Sequence, residues 1–164
     1  MSWRGLFRPG MRVYFLPFAA GLVLSISAFF PWVILGDVRL IGFPDTAALW
    51  IVGLGLIASL LAALSLITRK NSRHPLLLVG LVALGIMFLS WRLMPRAAAD
   101  RALTRSQALA IVDHTEVGAA PEASAGSGIF VGLAAAAVIV GFGLTIVIRQ
   151  AARPYVSDPD DDVD

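Results

Sequence analysis

Asp113, His114 and Glu116, with Asp100 upstream, are the nearest approach in this sequence to a catalytic set. Carboxylates beside an imidazole are what acid–base chemistry needs. Here they close an alanine-rich stretch, so the plainer reading is a helix end with its solvated charges. His74 stands before Pro75 with no second ligand nearby, and reads as an exposed interfacial residue. The run Asp158, Asp160, Asp161, Asp162, Asp164 could suggest calcium. It lacks the turn glycine and bidentate glutamate of an EF-hand loop, and reads as a solvated, disordered acidic tail over 157–164. The pairs Gly53/Gly55, Gly126/Gly128 and Gly141/Gly143 complete neither a dinucleotide fingerprint nor a phosphate-binding loop. There are no cysteines, which removes disulfides, Cys-based zinc sites and thiol redox chemistry. The expectation is a chain that is not an enzyme, with no catalytic residues, no cofactor and no metal.

Composition points to the bilayer. The 164 residues are 58% hydrophobic and 15% charged, against about 45–50% and about 25% in ordinary globular proteins. A soluble fold this small has too much surface to hide that apolar load. The apolar residues lie in long uncharged blocks, and a helix crossing the hydrocarbon layer needs about 20 such residues. Four blocks qualify: 13–35, 46–68, 75–94 (reaching 94 if Arg92 snorkels) and 129–148. The expected fold is an all-α, four-transmembrane-helix bundle occupying 1–156 as one domain. The first block, after Arg4, Arg8 and Arg12 and with Ser25-Ile26-Ser27 before Ala28, also has the outline of a signal peptide. It is expected to be retained as a span.

Loop charges set the orientation. Eight of the basic residues (Arg4, Arg8, Arg12, Arg69, Lys70, Arg73, Arg149 and Arg153) fall on one side; the other five (Arg39, Arg92, Arg96, Arg101 and Arg105) fall on the opposite side. Both termini are therefore expected in the cytoplasm, with the chain in the plasma (bacterial inner) membrane. Trp32, Trp50 and Trp91 are expected as interface anchors at the outer ends of three spans, with Arg92 snorkelling beside Trp91. Tyr14 and Tyr155 fall near the inner interface. A net charge of +2 gives no argument for nucleic acid.

The connecting segments carry finer signals. Trp32-Val33-Ile34-Leu35, Gly36-Asp37 and Val38-Arg39-Leu40-Ile41 read as a short outer β-hairpin. Asp45 or Thr46 is placed to cap the second helix. In the third loop, 95–127, the alanine-rich stretch 97–112 is helix-prone, and Thr104-Arg105-Ser106-Gln107 fits a capping box that opens the run 108–112. Arg101 and Arg105, one turn apart, share a face near the headgroups. Residues 118–128 read as a flexible linker.

The interior of the four blocks holds no Asp, Glu, Lys, Arg or His, Arg92 at the outer edge of the third being the only adjoining charge, whereas intramembrane ionisable groups are the usual mark of ion paths and proton relays. Small multidrug exporters need such a carboxylate, membrane dihaem cytochromes need facing imidazoles, and disulfide-generating quinone oxidoreductases need cysteines. The blocks hold small-residue spacing instead: Gly55, Ser59 and Ala63; Gly128, Gly132 and Ala136; and the shorter Gly21 and Ser25. Such stripes let helices approach closely, within one chain or between subunits.

The layout of Phe29-Phe30-Pro31-Trp32 ending the first helix, a glycine-containing outer loop, a basic inner loop and a Gly-rich last helix resembles small bacterial tetraspan membrane proteins of uncharacterised function. The resemblance implies no activity. The expected role is a non-catalytic accessory, assembly or stabilising subunit of a larger membrane complex, with the lipid bilayer and other membrane subunits or a second copy as partners. The alternative is a channel or carrier for a neutral solute, lined by Ser25, Ser27, Ser59, Ser65, Ser90 and Thr145.

Overall fold

A computed structural model describes residues 12–68, 73–114 and 121–151. After a 3-10 turn at Arg12–Tyr14 come α1 (Phe15–Ser27), β1 (Pro31–Leu35), β2 (Val38–Ile41), α2 (Thr46–Thr68), α3 (Arg73–Asp113), β3 (Ala123–Ala125) and α4 (Ser127–Ala151). Three helices are long and apolar enough to cross a membrane, within Thr46–Thr68, His74–Asp113 and Ser127–Thr145. The helices close a ring in which α1 packs on α2 and α4, and α3 packs on the same two. Leu24, Ile51, Leu76, Met87, Ile129 and Ile139 fill its centre.

The first helix is shorter than its uncharged block. It has 13 residues, about 20 Å at 1.5 Å each, and residues 31–35 are strand, not the end of a span. Pro31 supplies no amide hydrogen to a continuing helix, and the β-branched Val33 and Ile34 favour extended backbone. The absence of charge marks burial, not helix. The hairpin itself forms, with Leu35 opposite Val38 across Gly36-Asp37. Gly36 takes a φ of +56°, a left-handed conformation that suits glycine. Asp45 accepts the Ala47 N–H at 3.0 Å and so caps α2, one residue after the cis Phe43–Pro44 peptide.

Two expectations for the third loop are corrected. α3 runs unbroken for 41 residues, about 60 Å, and passes through Pro95 instead of stopping at 94. Pro95 removes one hydrogen bond to the Trp91 carbonyl, but the alanine-rich stretch beyond it is a strong helix former. The capping box therefore opens nothing. Thr104 Oγ1 donates back to the Asp100 carbonyl at 2.9 Å, and Ser106 Oγ to Leu103 at 2.8 Å, as mid-helix hydroxyls do. His114, at φ +49°, ends the helix. The second correction is that 118–128 is not all linker. Ala123–Ala125 pairs antiparallel with β1, giving a three-stranded sheet in the order β2-β1-β3. Residues 118–120 of that stretch, Glu116, the second loop over 69–72, and the tail with Arg153 and Tyr155 lie outside the described residues, as do Arg4 and Arg8.

Candidate functional site

The small-residue stripes meet one another. Where α1 crosses α2, a Cβ on Gly21 would lie 2.6 Å from the Gly55 carbonyl oxygen, and one on Gly55 would lie 2.6 Å from that of Gly21. Only glycine at both positions allows this approach. Ser25 Oγ donates across the crossing to the Val52 carbonyl at 3.1 Å, and Ser59 Oγ to that of Phe18 at 3.1 Å. The two hydroxyls thus bind the helices reciprocally. Ala63 is half-buried on the same helix. On α4, a Cβ on Gly128 would meet the Trp32 ring at 2.7 Å, Gly132 faces the Met87 side chain and Ser27, and Ala136 is fully buried. Both longer stripes therefore pack within the chain.

Five of the six hydroxyls expected as a pore lining are turned to backbone in the same way, and the sixth, Ser90, is buried on α3. Ser27 donates to Leu24 at 2.6 Å, Ser65 to Leu61 at 3.0 Å and Thr145 to Phe142 at 2.7 Å. Among the described residues no group of three His, Asp or Glu is placed to hold a metal. Asp113 and His114 stay exposed at the far tip of α3, and His74 is exposed near that helix's other end.

The three tryptophans part company. Trp50 is 63% exposed on the flank of α2 and Trp91 is 36% exposed on α3. The Arg92 guanidinium lies over the Trp91 ring, 5.2 Å from its centroid, and Phe88 meets that ring edge-on. Trp32 corrects its expectation as an interface anchor: only 1% of it is exposed. Its Nε1 donates to the Ser27 carbonyl at 2.9 Å. Its ring sits in a slot between Gly42 and Gly128, where added Cβ atoms would come within 2.6 Å and 2.7 Å of it. The indole thereby ties the hairpin to the end of α1 and the start of α4. Tyr14 is likewise buried, edge-on to Phe142 at 5.1 Å.

Above this plug the fold opens. A cleft of about 460 Å³ lies between the hairpin and α3, walled by Trp32, Val33, Leu40, Leu93, Met94 and Arg101. A second, of about 440 Å³, lies further along α3 against Leu35, Leu40, Ala98, Arg101, Arg105 and Leu109. Leu40, Ala98 and Arg101 line both, so they form one groove climbing the distal half of α3. β2 forms its other wall and is exposed along its whole length, including Val38 and Ile41. At the helix tip Leu109, Ile111 and Val112 are exposed as well. The turn spacing of Arg101 and Arg105 is visible in the sequence; the strand they face is not, because it lies some sixty residues earlier. Such an arrangement offers apolar contact and two guanidinium groups; of the polar groups beside them, Ser106 donates to the Leu103 carbonyl and Asp45 caps α2. Comparison with known proteins finds no matching family, no similar curated protein and no similar solved structure.

Proposed function

We propose that this chain is a non-catalytic integral membrane protein that serves as an accessory or assembly subunit of a larger membrane complex. In this reading four helices form the membrane-embedded domain in the plasma (inner) membrane. The short α1 is held among its neighbours, and both termini are cytoplasmic. The sheet and the distal half of α3 form an outer platform.

One observation carries the proposal: the apolar side chains left exposed on the platform. Val38 and Ile41 on β2 and Leu109, Ile111 and Val112 on α3 are open. They lie beyond the helix segments that lipid would cover. Apolar surface grouped outside the bilayer marks an interaction site, and β2 adds a free strand edge on which a partner can pair. The filled bundle and the backbone-bonded hydroxyls support a packing role over a solute path.

Site-specific photocrosslinking in native membranes tests this. A benzophenone amino acid at Val38 or Ile111 is expected to give a discrete adduct with another membrane protein, and one at the lipid-facing Leu60 is not. Adducts from neither platform position, with a solitary purified chain that conducts a neutral solute into vesicles, would favour the carrier.

A further inference from the structure

Arg101 and Arg105 are left without a role by the platform reading. They are one helical turn apart on α3, so their guanidinium groups project from the same face. Both line the upper part of the groove, and Arg101 lies where the upper and lower parts join. Below them the walls are Trp32, Val33, Leu40, Leu93 and Met94, apolar down to the level of Trp91 and Arg92. The one carboxylate at the lower rim, Asp45, is engaged in capping α2. A groove with two cations above and an apolar floor leading to the membrane surface matches an anionic amphiphile, headgroup up and chain down. Guanidinium is the group best shaped to hold phosphate oxygens in pairs.

We propose that the groove binds one anionic glycerophospholipid, its phosphodiester held between Arg101 and Arg105 and an acyl chain lying along Leu40, Leu93 and Met94 into the bilayer. This rests on the membrane reading above. A bound lipid would hold the hairpin against α3 and set the height of the platform over the membrane.

Native mass spectrometry of the full chain in mild detergent, offered equal phosphatidylglycerol and phosphatidylcholine with the same chains, tests it. One phosphatidylglycerol should be retained in preference by about tenfold or more, since each cation near a headgroup adds roughly fivefold in attraction. Arg101→Gln with Arg105→Gln should abolish the preference. Arg92→Gln, outside the groove, should keep it. Leu93→Trp, which narrows the groove at an exposed position without touching charge, should lower retention in a protein whose melting temperature is unchanged. Equal retention of the two lipids, or a preference surviving the double substitution, overturns the proposal. Displacement of the lipid by millimolar glycerophosphoglycerol also overturns it, in favour of a site for a soluble phosphate ester. A chain that stays in solution without detergent would instead remove the membrane reading itself.

Discussion

Trp32→Ala is expected to destabilise the detergent-solubilised protein by about 3–5 kcal/mol, the range for emptying a large aromatic site in a packed interior. The indole fills a slot made by Gly42 and Gly128 and donates to the Ser27 carbonyl at 2.9 Å. Its removal leaves a cavity at the junction of hairpin, α1 and α4. Trp32→Phe keeps part of the volume but loses the N–H, at a further cost of about 1 kcal/mol for the unmade hydrogen bond. Trp50→Ala is the internal control. Trp50 is 63% exposed, and a substitution at such a surface site stays within about 0.5 kcal/mol. Denaturant or thermal midpoints of the three variants would check the contrast. Equal losses at Trp32 and Trp50 would mean that both are interface anchors and that the slot is empty of consequence.

The second large effect is at the α1–α2 crossing. Gly55→Leu forces a side chain into the Gly21 carbonyl and the Ser25 hydroxyl. Overpacking typically costs about 1–3 kcal/mol. Separating the helices also weakens the two reciprocal serine bonds, each worth about 1 kcal/mol. A total of about 3–5 kcal/mol is expected. Gly53→Leu, two residues away, is expected to be nearly neutral, because a Cβ there meets nothing within 4 Å. Matched melting curves decide it. Similar losses at both positions, against the helix propensity that replacing glycine gains, would indicate that added bulk is costly on either face of α2, with no special role for the crossing.

Much of the bundle was legible in the sequence because uncharged blocks, small-residue spacing and capping chemistry are local. Asp45 capping α2 and the Gly36-Asp37 turn followed from a few adjacent residues. The failures share a physical cause. Residues 31–35 are apolar both as strand and as helix, and only their pairing with β2 and β3 decides between them. Pro95 marks a boundary in the local pattern, but the alanine-rich helix beyond it packs against the sheet and continues. Trp32 resembles Trp50 and Trp91 in type and in its place at a block end. Its burial depends on Gly42 and Gly128, one of them nearly a hundred residues away. The groove could not be read for the same reason: Leu40 and Arg101 belong to distant segments that meet only in the fold. The absence of ionisable residues from the interiors of the uncharged blocks, by contrast, is a property of composition alone.

The chain contains no cysteine, so single cysteines can be placed on the native background and probed in intact cells with a membrane-impermeant thiol reagent. Asp37→Cys, in the hairpin turn, and Glu122→Cys, whose carbonyl receives the Gly36 N–H at 3.1 Å, sit together at the sheet end. Both are expected to label from outside, while His74→Cys near the opposite end of the bundle labels only after permeabilisation. Labelling of His74→Cys from outside with protection of the other two would put the platform in the cytoplasm. Free labelling of Leu60→Cys, at the middle of α2, would contradict the membrane bundle altogether.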